Sequence, residues 1–262
     1  MRSGKPAAAF AVLLVVSFAT MNAMPSDTLL AAMLQEAVLA LVALVAVRFA
    51  VPDVLKRCTQ AVQQRNTVRF AAIALLLTGL IGGTVTLLTW LFADGGNVSG
   101  FVSAALPLAA GLIRNLLLLL GICLLTGVYE EAFMRVLGIE AFERALDTKR
   151  AILAPAALFA LLHVGAPDVS AGQLVLLQTA LKFGQALLFG VILGALYART
   201  RRLWPCAFIH AGFDILYMAP NVLLTGTMPE TYASGAVGDT VLLAVSVLML
   251  SGIVLKIRKE IA

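Results

Sequence analysis

The residues able to do chemistry in this 262-residue chain are few, and they sit in apolar surroundings. Glu130, Glu131 and Arg135 stand in "VYEEAFMR", directly after the run "NLLLLLGICLLTG". The only two histidines follow, His163 in "LFALLHVG" and His210 in "CAFIHAGFD", the latter one helical turn before Asp214. An ionisable group inside an apolar segment costs kilocalories unless it is paired or hydrated, so each is a functional candidate. Brought together, carboxylates and imidazoles can activate a water, relay protons or ligate a metal. A lone histidine in an apolar helix is more often a hydrogen-bonded core residue. Both histidines in such positions, with carboxylates beside them, favour a site. Lys182 also lies in an apolar run, but no motif surrounds it.

Helical spacing assigns neighbours, because residues four apart share a face. It predicts Glu131 under Arg135, Phe159 beside His163, and His210 over Asp214. Glu130 is turned about 100° from Glu131 and has no such local partner. An unpaired carboxylate in a low dielectric suits the work of a general base. The bland reading of the same motif is a Glu–Arg surface pair at a helix end.

The elements that must position these groups follow from composition. The chain is 61% hydrophobic and 13% charged, too apolar for a soluble domain of this length. Several segments reach the roughly 20 apolar residues that a bilayer crossing takes. The expected fold is an all-α polytopic membrane protein of about eight transmembrane helices. The predicted spans are Ala7–Met24, Leu29–Val51, Phe70–Ala93, Arg114–Arg135, Ala151–Val164, Gln173–Arg199, Leu203–Leu224 and Thr240–Ile257. This places the candidate residues on the fourth, fifth and seventh. A short interfacial segment, Phe101–Leu112 with Pro107 inside it, leads into the fourth span. The fifth is short and is expected to run on past Gly165 and Pro167. With no internal repeat and no flexible linker, residues 1–262 read as a single integral membrane domain, its chemistry within 130–214.

The net charge of +5 does not point to nucleic acid, since no basic patch is interleaved with aromatics. Basic residues cluster instead in alternate loops: Lys56, Arg57, Arg65 and Arg69; Arg144, Lys149 and Arg150; Arg199, Arg201 and Arg202; then Lys256, Arg258 and Lys259. Asp27, Asp94, Asp168, Glu230 and Asp239 occupy the others, with Arg114 the only basic residue on that side. By the positive-inside rule both termini are cytoplasmic. Arg2 and Lys5 before the first apolar run also fit a signal peptide, although a first span is favoured by the hydrophobic run that follows so soon. Cys58, Cys123 and Cys206 show neither disulfide nor zinc spacing.

Depth is compatible with one shared site. Arg135 to Glu130 is roughly 7 Å of helix rise and Arg202 to His210 about 12 Å. His163 is about 12 Å beyond Pro155, read as a first-turn proline, but nearer 20 Å beyond Arg150.

Taken in order, "EEAFMR", "FALLH" and "HAGFD" match E-E-x-x-x-R, F-x-x-x-H and H-x-x-x-D, and resemble the three motifs of the CPBP family. That family comprises CAAX prenyl proteases and bacteriocin-processing and self-immunity proteins, also called glutamic intramembrane proteases. The stretch "LLFGVILGALYARTRRLWPCAFIHAGFD" is similar to the family's final motif region. The resemblance implies an intramembrane endopeptidase in which Glu130 and His163 activate a water. His210 and Asp214 would stabilise the oxyanion, and Glu131, Arg135 and Phe159 would support the site. Many members carry Asn where this chain has Asp214, and a carboxyl group donates to an oxyanion only when protonated. The implied partners are the lipid bilayer and a membrane-associated protein or peptide: a prenylated tail, a bacteriocin leader or a C-terminal sorting segment. No cofactor is implied, and the expected location is a bacterial plasma membrane. Three other readings use the same residues. One is a zinc peptidase with His163, His210 and Glu130 as ligands, though no H-E-x-x-H is present. Another is a proton-coupled transporter. The third is a silent scaffold or immunity protein.

Overall fold

The computed structural model describes residues 4–24, 26–56, 65–93, 109–164, 170, 172–228 and 233–261. These form eight long helices: α1 Lys5–Ala23, α2 Leu29–Ala50, α3 Arg65–Ala93, α4 Ala109–Glu130, α5 Thr148–Val164, α6 Gln173–Thr200, α7 Leu203–Thr225 and α8 Val237–Ile261. A short helix, Pro52–Lys56, follows α2. Helices satisfy their own backbone polar groups, which is what a chain this apolar needs in lipid. Seven of them are long and apolar enough to cross a membrane. The exception is α5, the predicted fifth span, with 17 residues. Its expected continuation past Gly165 and Pro167 lies outside the described residues, as do residues 101–108 of the interfacial segment. The chain is an all-α, multi-pass membrane protein.

Two local readings need correcting. The fourth span does not end at Arg135: α4 passes into a π-helix, Glu131–Ile139, and a last α turn, Glu140–Phe142. All nine π-helical residues are buried, and π-helical stretches are frequent at functional sites. Nor does Pro155 open a helix. α5 starts at Thr148, where the Asp147 side chain accepts from Arg150 N at 2.9 Å, and Pro155 lies inside it. His163 is therefore one residue from the far end of α5, at the greater of the two depths.

The π-helical stretch is the hub of the packing, touching α1, α2, α5, α6 and α7. α7 also packs along α3 and α4, and α5 along α6. Close approach of α4 and α7 depends on Gly127, where an added Cβ would lie 2.5 Å from the Ala207 carbonyl oxygen. Small residues at such crossings let membrane helices come together. The C-terminal end of the hub is tied down by Arg201, the αL residue that closes α6 (φ 51°). Its guanidinium donates to Glu143 at 2.7 and 2.8 Å and to Glu140 at 3.0 Å, and Tyr197 Oη donates to the same Glu140 oxygen at 3.1 Å. Burial disfavours the charge on Arg201, but Glu143 and Glu140 outweigh it and raise its pKa above the ordinary value.

Candidate active site

The first motif is built on the π-helical stretch. Arg135 Nε lies 3.1 Å from Glu131 Oε2, with side-chain exposures of 2% and 0%. The predicted i,i+4 pair thus exists, but it is a core pair rather than a surface one. The Arg135 guanidinium stacks over the Phe159 ring at 4.6 Å, a favourable contact for a desolvated cation. Phe159 also touches His163, with ring centroids 4.1 Å apart. Spacing alone gave the second of these neighbours and missed the first.

The other Glu131 oxygen reaches across to α7, with Oε1 2.8 Å from His210 Nδ1. A carboxylate paired with arginine can only accept, so Nδ1–H of His210 is the donor. The imidazole is thereby fixed in orientation, and Phe189 packs edge-on against it at 4.8 Å. Its Nε2 then faces Asp214 Oδ2 at 3.3 Å and Glu130 Oε2 at 3.4 Å. Two protonation patterns fit: an imidazolium that donates at both nitrogens, or a neutral ring whose Nε2 accepts from a protonated Asp214 or Glu130. Glu130, expected to have no local partner, meets His210 across the helix interface.

His163 is fixed from the other side. Its Nδ1 donates to the Phe159 carbonyl oxygen at 2.8 Å. With the proton on Nδ1, a neutral ring presents Nε2 as a lone pair, the form needed of a base.

Glu130, His163, His210 and Asp214 line one cavity of about 400 Å³. Glu131, Arg135 and Phe159 stand behind it, holding His210 and His163. The cavity also holds polar groups that motif reading passed over: Glu36 from α2, Thr126 from α4, Gln185 from α6 and Tyr217 from α7. The rule that any ionisable residue within an apolar span is a candidate, applied to the second span, would have found Glu36. Lys182, noted without a motif, lines the same cavity and donates from Nζ to Gln185 Oε1 at 3.0 Å. Gln185 donates in turn to Tyr217 Oη at 2.9 Å.

A second cavity, about 740 Å³, adjoins the first and shares Glu130 and His163 with it. Its other walls are mostly apolar, among them Leu14 and Phe18 of α1, Phe133 of the π-helical stretch and Leu162 of α5. Among the described residues, no group of three or more His, Cys, Asp or Glu has the geometry to hold a metal ion.

Such an arrangement can present bases to a water and donors to a developing oxyanion in a water-poor place, which is what amide hydrolysis requires. No curated protein and no solved structure matches the chain. Residues 112–216, which hold all three motifs, match the family described as Type II CAAX prenyl endopeptidase Rce1-like, in keeping with the resemblance those motifs carry.

Proposed function

We propose that the protein hydrolyses a peptide bond of a membrane-associated protein or peptide, with Glu130 and His163 activating the attacking water. The observation that carries this reading is the convergence of Glu130, His163, His210 and Asp214 on one cavity from three different segments. Glu130 takes a proton from water, helped by the Nε2 lone pair of His163, and the hydroxide attacks the carbonyl carbon. His210, as imidazolium, and a protonated Asp214 donate to the oxyanion. Glu131 and Arg135 hold His210 in the orientation this needs.

The adjoining apolar cavity supports a substrate that arrives from the lipid. A greasy flank of the substrate lies along Phe18, Phe133 and Leu162 while its scissile bond reaches Glu130 and His163. The chain forms a single domain in a bacterial plasma membrane, and its loop charges support an orientation with both termini cytoplasmic. The direct test compares protein termini in membranes that contain the active protein or its Glu130→Gln variant. The expected outcome is a small set of new termini next to predicted transmembrane segments, present only with the active protein. Identical termini in the two samples would overturn the proposal.

A further inference from the structure

Amide hydrolysis needs more than an attacking water. The leaving nitrogen must gain a proton as the C–N bond breaks, because an amide anion is too poor a leaving group. The roles assigned above leave one carboxyl group of the cavity unused, Glu36.

Glu36 comes from α2, a helix outside the segment that carries the motifs. It lines the same cavity as Glu130, His210 and Asp214. Its neighbour Gln35 is accounted for structurally, donating from Nε2 to the Met24 carbonyl oxygen at 2.7 Å. Glu36 is anchored less completely. The Thr126 hydroxyl bonds its carboxyl group, but its buried Oε2 has no hydrogen-bond partner among the described residues. A buried carboxyl oxygen without a partner is costly, and such cases call for an explanation in function. Lys182, which lines the same cavity, is engaged with Gln185.

We propose that Glu36 is a second catalytic carboxyl group, the acid that protonates the leaving nitrogen. The inference rests on the hydrolytic reading above. Water adds its oxygen to the carbonyl carbon and gives a proton to the Glu130 carboxylate. When the tetrahedral species collapses, the C–N electron pair goes to nitrogen, which takes the proton of the Glu36 carboxylic acid. The products are a carboxylic acid and an amine. They leave Glu130 protonated and Glu36 ionised, and one proton passing from Glu130 to Glu36 within the cavity restores the starting state.

The leaving group provides the test. An alcohol leaves with far less need of a proton than an amine does, so an ester in place of the scissile amide bypasses the acid. The protein reconstituted in lipid vesicles is given a peptide cut in the terminus comparison, and the same peptide with an ester at the scissile bond. Glu36→Gln should lower amide cleavage by about 100-fold or more while ester cleavage stays within about threefold of wild type. Glu36→Asp, which keeps a carboxyl group, should recover part of the amide rate. The readout is the ratio of amide to ester rates, which does not depend on the fraction of protein that folds. An unchanged ratio in both variants would overturn the role given to Glu36. Should Glu130→Gln go on cleaving both substrates, it is the hydrolytic reading that fails instead.

Discussion

The two adjacent glutamates should fail in different ways when each is changed to Gln. Glu131 is fully buried, with Arg135 on one oxygen and His210 on the other. Glu131→Gln keeps one acceptor for His210 but leaves the Arg135 cation buried without its counter-charge. Breaking one side of a buried pair costs about 3–5 kcal/mol, and the retained hydrogen bond places this change at about 3. For a protein of this size that is a fall of about 6–12 °C in melting temperature. Activity per folded molecule should drop by about 10–100-fold, the scale of one charge-assisted hydrogen bond to His210. Among the described residues, Glu130 Oε2 approaches His210 at 3.4 Å and makes no hydrogen bond. Glu130→Gln should therefore melt within about 1 kcal/mol of wild type. Its activity should fall by about 10³-fold or more, as expected when the base is removed. The assay pairs circular-dichroism melting in detergent with peptide cleavage corrected for folded protein. A Glu131→Gln variant as stable as wild type would refute the reasoning, and so would a Glu130→Gln variant that keeps most of its activity.

Three further outcomes follow. Asp214→Asn should retain substantial activity, since the amide is a permanent donor, whereas Asp214→Ala should fall by about 100-fold; cleavage rates of the three proteins check this, and an Asn variant as inactive as Ala would contradict it. In a background without native cysteines, single cysteines at positions 94 and 239 should react with an impermeant reagent outside intact cells while those at 57 and 201 do not; external labelling of 57 or 201 would overturn the eight-span topology. Gly127→Val should separate α4 from α7 and cost about 1–3 kcal/mol through overpacking against the Ala207 carbonyl, measurable as a lower melting temperature.

Much of the site was legible because its residues break the strongest rule of the chain, that apolar spans carry no charge. Glu131 with Arg135, and His210 with Asp214, followed from four-residue spacing, since such pairs are set by one helix alone. Other features depend on how helices meet, and no local spacing encodes that. The Glu131–His210 bond and the Arg135–Phe159 stack are of this kind. The π-helical turns from Glu131 to Ile139 were not foreseen because an apolar run suits either winding. Pro155 was read as a helix start from its usual preference, yet the Asp147 cap places the start seven residues earlier. Arg201 was read as a loop charge, but through Glu140 and Glu143 it ties α6 to the end of the π-helical hub. Glu36 lies outside all three motifs, so nothing in their spacing points to it.

The central claim is that water is activated by Glu130 and His163, with no metal taking part. It is tested most directly by cleavage of one defined peptide in vesicles, using protein treated exhaustively with a strong chelator. The account predicts that the wild-type rate survives this treatment and is not raised by added zinc, while Glu130→Gln stays inactive with or without zinc. Loss of activity on chelation, recovered by one equivalent of zinc, would contradict it.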